Sequence, residues 1–239
     1  IKRVNVKSTI PNTLTLANLA AGLLAIIAIF ENQFLLSAYL VGASLLFDFA
    51  DGLVARALKV HSELGKQLDS LADTVSFGVV PGLFLYQLFQ MAPADGEPIP
   101  AFLPYLALLI PLFSALRLGK FNIDERQSEN FIGLPTPANT ILIFSLGLWA
   151  IYTENTTTKA ILFHPFLLTL LCVGSSVLLV AELPLMSLKV KDLSWKNNKG
   201  RYLLIAISIL LIAILRVRAF AFIIPLYLLL SLLFKPNKY

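Results

Sequence analysis

The chain is short of charge. Lys, Arg, Asp and Glu make up 14% of its 239 residues, against about 25% in a typical soluble domain. It is also short of soft metal ligands. A single cysteine, Cys172, excludes an intrachain disulfide, and two histidines, His61 and His164, lie far apart. Both facts argue against a zinc centre of the Cys/His type. Internal repeats are not evident, and the alternating strands of a membrane barrel are absent. What is present is apolar: 57% of residues, with a mean hydropathy of +0.79. That excess excludes a disordered chain or a disulfide scaffold, and it argues against a soluble globule, because 33 charged side chains cannot mask so much apolar surface. At about 20 residues per crossing, the length admits about eight spans and no sizeable soluble domain. The net charge of +5 then reads as basic loops beside a membrane rather than a nucleic-acid surface, and no nucleic-acid partner is expected.

Eight apolar segments are expected to be helical, since backbone groups in lipid must be satisfied within the helix. They run over Leu14–Phe30, Phe34–Ala57, Leu68–Met91, Ala101–Leu118, Pro135–Tyr152, Ile161–Ala181, Tyr202–Leu215 and Ala219–Phe234. The first, preceded by Lys2, Arg3 and Lys7, is read as a span rather than a signal peptide because more spans follow. The last two are short for a full crossing. With the N-terminus in the cytoplasm, 16 of the 19 basic residues fall on the inside, and Lys159, Arg216 and Arg218 fall outside. The positive-inside rule therefore puts both termini in the cytoplasm. Trp149, Tyr152 and Trp195 fit an aromatic belt, and His61 and His164 read as loop and interfacial residues.

Against this background, four aspartates are out of place. Asp48 and Asp51 lie near the end of one apolar run, and Asp69 and Asp73 near the start of the next. Ionisable groups in spans are costly and mark polar sites. Asp48, Asp51, Gly52, Ala55 and Arg56 share one helical face, as do Gly65, Asp69 and Asp73. The short link around Lys59–Glu63 is expected to make the two helices antiparallel neighbours, so that the carboxylates converge near the cytoplasmic surface. Such a cluster repels itself unless cations hold it. An all-oxygen set favours Mg²⁺ or Mn²⁺, with Ca²⁺ as an alternative. Four carboxylates suit two ions, and paired ions suit phosphoryl chemistry. Gly52 and Ala55 let a ligand approach, and Arg56 suits phosphate.

The residues read D-x2-D-G-x2-A-R-x8-G-x3-D-x3-D, eight fixed positions over 26 residues, with no departure from the signature of the CDP-alcohol phosphatidyltransferases, which the chain resembles. The resemblance implies an all-α integral membrane protein: a six-helix catalytic core plus two C-terminal helices. The core is set at residues 1–185, followed by a basic cytoplasmic loop and helical hairpin at 186–239. It also implies a homodimer in a bacterial cell membrane, with the active site facing the cytoplasm. Asp48, Asp51, Asp69 and Asp73 would ligate two divalent cations, with Asp73 also the general base. Asp48, Gly52, Ala55, Arg56 and Gly65 would bind CDP-diacylglycerol. Asn12, Thr15 and Asn18 form a polar stripe on the first span. Thr15 and Asn18 are candidates to face the nucleotide, although helix capping explains Asn12 or Thr15 equally well.

Further segments point to the acceptor. Ile10–Asn18, Ala72–Gly78 with Val80-Pro81, Leu116–Asn122 and Phe131–Ala138 together resemble the membrane-type phosphatidylserine synthases, over residues 8 to 185. One departure is Lys120, where Arg is expected, which keeps the charge but loses the planar fork. This implies transfer of a phosphatidyl group from CDP-diacylglycerol to L-serine, with Arg117, Lys120, Asn122 and Thr136 as candidate serine contacts. Pro135 and Pro137 are expected to start the fifth span. Glycerol 3-phosphate or an inositol phosphate is the alternative acceptor, served by Arg117, Lys120 and Arg126. From another class, a cation transporter would also place acids in spans, but with a midplane site and repeated halves.

Overall fold

The computed structural model describes residues 6–60, 62–92, 100–123, 131–186 and 194–234. Among the described residues the elements are helical apart from one pair of two-residue strands. The helices are α1 (Val6–Phe30), α2 (Phe34–Ala57), α3 (Glu63–Thr74), α4 (Val80–Met91), α5 (Leu109–Ile123), α6 (Thr136–Tyr152), α7 (Thr156–Leu162), α8 (Pro165–Val180), α9 (Trp195–Leu215) and α10 (Phe220–Leu233). A π-turn, Val75–Val79, joins α3 to α4, and a 3₁₀ turn, Leu103–Leu108, leads into α5. Strands β1 (Phe131–Ile132) and β2 (Pro184–Leu185) pair antiparallel.

Each of the eight expected apolar segments is helical. By length and composition, Ser8–Phe30, Phe34–Ala57, Glu63–Met91 and Leu103–Ile123 can each cross a membrane. The bent pair α7 and α8, set at 45°, qualifies when taken together, whereas α6 has 17 residues. The stretch Asn198–Leu233 also qualifies as a length of apolar helix, but it folds back on itself. Arg216 sits at φ 53°, and a Cβ on Gly200 near the start of α9 would lie 3.0 Å from Phe234 just past the end of α10. α9 and α10 therefore form a hairpin. The outward faces of the helices carry large apolar residues such as Leu24, Ile27, Leu46, Phe49 and Leu112, as lipid contact requires.

Local chemistry sets the turns. Asn32 takes the left-handed conformation at φ 58°, which Asn tolerates better than most residues, and it reverses α1 into α2. Lys59 does the same at φ 52° after α2. Ser62 then caps α3, its Oγ accepting from Gly65 N at 2.9 Å. Pro81 has no N–H to give the carbonyl four residues back. That carbonyl belongs to Phe77, and Thr140 Oγ1 donates to it at 3.1 Å.

This last bond fixes the register of the bundle. Thr140 lies level with Phe77, and a Cβ on Gly147 would run into the Phe84 ring. α6 therefore runs parallel to α3–α4, and Thr136 falls level with Asp73. α5 runs antiparallel. Asn122 bonds Ser70, Ser114 backs Gly78, and Pro111 backs Gly82, so Arg117 also falls near the level of Asp73. The aromatic core lies at the far end of the bundle, where Phe84 stacks on Phe144 at 4.2 Å and Phe34 sits 5.9 Å from Phe84.

Candidate active site

The acidic stripes do meet, but not by direct packing of α2 on α3. α1 packs against both helices and holds them at a set spacing. The expected α2–α3 neighbourhood is thus bridged by α1, and its polar stripe is the bridge. Thr15 Oγ1 donates to Asp51 Oδ2 at 2.5 Å, its shorter contact, with the Pro11 carbonyl at 3.1 Å as the other acceptor. Asn18 Nδ2 donates to Asp73 Oδ1 at 3.1 Å. The Asn18 carbonyl accepts from Ser44 on α2 at 3.1 Å and from Ser76 in the π-turn at 3.2 Å. Gly65 allows α1 to come close: a Cβ there would lie 3.1 Å from Asn12 Oδ1.

Carboxylate oxygens of Asp48, Asp51 and Asp69 lie within 4.8 Å of one another. Asp73 sits one turn beyond Asp69, outside this group, and is buried against Asn18. Among the described residues no ion pair neutralises the three acids. Three partly buried carboxylates in mutual reach, with oxygen donors only, fit a hard divalent cation. Beside them is a cavity of about 380 Å³, walled by Asn12, Thr15, Asp51, Gly52, Ala55, Gly65 and Asp69 among others. Gly52 is small for no packing reason, since a Cβ there would meet nothing closer than its own helix's Arg56 at 3.5 Å. Its missing side chain leaves the cavity open. Arg56 is exposed at the rim.

The candidate acceptor residues separate into two groups. Arg117 is 7% exposed with its Nε unpartnered, and Thr136 is 1% exposed with Oγ1 unpartnered. Both lie near the level of Asp73, and Asp73 is within electrostatic reach of Arg117. Lys120 is exposed. Asn122 is engaged elsewhere: its side-chain amide donates to Ser70 Oγ at 2.8 Å and its backbone carbonyl accepts from Lys66 Nζ at 2.7 Å, tying α5 to α3. Arg126 and His61 lie outside the described residues. His164 caps α8, accepting from Phe166 N at 3.2 Å.

One residue escaped the sequence reading. Asn139 is fully buried, and both polar atoms of its amide lack a partner. Buried polar groups are almost always paired, so a fully orphaned amide beside Thr136 points to a ligand. The signal was available in Thr136, Asn139 and Thr140, which form an i, i+3, i+4 polar stripe on an apolar helix, the pattern noted on α1.

Comparison with known proteins agrees with this geometry. The family model for CDP-alcohol phosphatidyltransferase matches residues 8–177. The chain belongs to that family. Its relatives include a CDP-diacylglycerol–serine O-phosphatidyltransferase of Helicobacter pylori strain J99, 38% identical over 56% of this chain and 54% of the relative. The enzyme of that name from Bacillus subtilis is 31% identical over 73% of this chain and 88% of its own length. An archaetidylserine synthase of Methanothermobacter thermautotrophicus is 33% identical over 64% of each. The chain spans about half the length of the Helicobacter relatives it matches. Family membership and the apolar helices make it an all-α integral membrane protein.

The Thr15 contact carries a prediction. Thr15→Val keeps the shape but removes the donor to Asp51. The affinity for Mn²⁺ is expected to fall about tenfold, the scale of a lost outer-shell hydrogen bond. Titration of the purified protein with Mn²⁺ reads this directly. An unchanged affinity would reduce Thr15 to a helix-internal donor.

Proposed function

We propose that this protein transfers the phosphatidyl group of CDP-diacylglycerol to the hydroxyl of L-serine, yielding phosphatidylserine and CMP. The observation that carries the reading is the acid cluster on one side of Asp73, with the buried Arg117 and Thr136 near the same level on other helices. The relatives' names support serine as the acceptor.

Asp48, Asp51, Asp69 and, at the edge of the group, Asp73 would hold two divalent cations, Mg²⁺ or Mn²⁺. When bound, the cations supply positive charge beside the diphosphate. The nucleotide occupies the cavity along Thr15, Gly52, Ala55 and Gly65, with Asn18 and Arg56 as further contacts. Asn18 holds Asp73 by one oxygen and leaves the other free. That oxygen takes the proton of the acceptor hydroxyl. The hydroxyl oxygen attacks the phosphorus that carries diacylglycerol, the bond to the CMP oxygen breaks, and Arg56 offers charge to the departing phosphate. Arg117 pairs with the serine carboxylate, and Thr136 and Asn139 supply neutral hydrogen bonds. Lys120 draws the anionic end of serine toward the site, and Asn122 contributes by fixing the end of α5.

The catalytic unit is residues 1–185, with the remainder a basic loop and hairpin. The working form is a homodimer in the bacterial cell membrane. The site faces the cytoplasm, a reading supported by the basic connections at this end of the bundle and by the availability of serine there.

The test is an acceptor comparison with CDP-diacylglycerol and Mg²⁺ or Mn²⁺. Serine should yield phosphatidylserine and CMP, whereas glycerol 3-phosphate and inositol phosphate should not react. Product with a phosphorylated acceptor alone would move the specificity there. No CMP with any acceptor would sink the transferase reading.

A further inference from the structure

The hairpin α9–α10 lies beyond the family match, which ends at residue 177, yet it grips the segment that leads into the acceptor residues. Tyr227 on α10 is 8% exposed, and its hydroxyl donates to the Met186 carbonyl at 3.0 Å. One turn on, Ser231 Oγ accepts from Met186 N at 3.2 Å. Both backbone groups of one residue are thus clasped by one helix. Met186 directly follows β2, which pairs with β1. The chain after β1 is pinned to the same stretch: Gly133 N donates to Leu183 O at 3.0 Å, and Leu134 N to Leu178 O at 2.8 Å. Gly133 lies at φ 76°, and a Cβ there would come within 2.6 Å of Leu179 O, so the approach tolerates no side chain. Thr136 begins α6 three residues later. Ile224 on α10 packs with Leu134 in this segment and with Leu142 on α6. Among the described residues, Asp73 and Tyr227 are the ionisable groups close enough to Arg117 to act on it electrostatically. The nucleotide cavity, by contrast, is lined by no described residue after Asp69.

We infer that Tyr227 and Ser231 are positioning residues for the acceptor: by clasping the Met186 backbone they hold the 131–136 segment, and with it Thr136, near Arg117 at the level of Asp73. The inference rests on the reading of Arg117 and Thr136 as acceptor contacts. It makes the C-terminal hairpin part of the acceptor site and separates its effect from nucleotide binding.

Steady-state kinetics on the full chain test it, using CDP-diacylglycerol and serine. Tyr227→Phe should raise the KM for serine about fivefold, the scale of one lost hydrogen bond. The kcat and the KM for CDP-diacylglycerol should stay within about twofold of wild type. Ser231→Ala should raise the serine KM by a smaller factor. The double variant should rise by less than the product of the two, because both act through Met186. An unchanged serine KM in both single variants would overturn the inference. So would a joint shift of kcat and both KM values with a lowered melting temperature, which marks general loosening. Arg117→Ala separates the two levels. A raised serine KM there, with none in Tyr227→Phe or Ser231→Ala, rejects the role of the hairpin alone. No rise in Arg117→Ala rejects the acceptor reading and this inference with it.

Discussion

Asp73→Asn is expected to lower kcat by about 10³-fold, within the range that a positioned general base contributes. The substitution is isosteric. Asn18 Nδ2 donates to Asp73 Oδ1 at 3.1 Å, and the carbonyl oxygen of an amide at position 73 can accept the same bond. What changes is the other oxygen, which becomes an NH₂ and can no longer take a proton. The local packing therefore survives while the proton acceptor is lost. Because Asp73 stands at the edge of the three-carboxylate group, the Mg²⁺ concentration that gives half-maximal rate should rise less than it does in Asp69→Asn. Initial rates of CMP release across a metal titration measure both quantities. Turnover near that of wild type would remove the base role from Asp73.

Asp69→Asn is expected to act on the other half of the chemistry. Asp69 is one of the three acids within mutual reach, and among the described residues nothing hydrogen-bonds its carboxylate. Its oxygens are therefore free for a ligand. Activity should fall by about 10²-fold or more, since metal-borne charge is worth several kcal/mol in such reactions. Mn²⁺ binding, measured directly, should weaken with it. Stability should move the opposite way. Three neighbouring carboxylates repel one another and resist removal from water, so neutralising one should raise the melting temperature of the metal-free protein. Sites selected for chemistry show this trade-off. A variant that loses stability and keeps activity would assign Asp69 to structure.

Much of this was legible in the sequence because the bilayer makes polarity expensive. Asp48, Asp51, Asp69 and Asp73 stood out against apolar runs, and helical spacing alone put them on two faces. The same logic marked Asn12, Thr15 and Asn18. It did not reveal that α1 packs against both acid-bearing helices and bonds to acids on each, because spacing says nothing about a third helix. Asn122 illustrates a second limit. The resemblance, and its place beside Arg117 and Lys120, suggested a serine contact, while its amide spends its bond on Ser70, a partner 52 residues away that no local pattern identifies. Asn139 was overshadowed by the prolines that start its helix. Tyr227 and Ser231 lie in a segment whose composition reads as plain membrane anchor, and their partner is the backbone of Met186, which has no sequence signature at all.

The cavity beside the acids has a consequence for how the lipid donor is recognised. Its volume of about 380 Å³ lies at the lower end of the range for small-molecule pockets, and its wall is drawn largely from polar and small residues of three helices. It admits a headgroup and leaves no room for two fatty tails, which stay among the neighbouring lipids. The protein therefore reads its donor as an address label reads a parcel. Under the proposed function, this cavity takes the nucleotide end of the donor, and the acyl chains lie outside it.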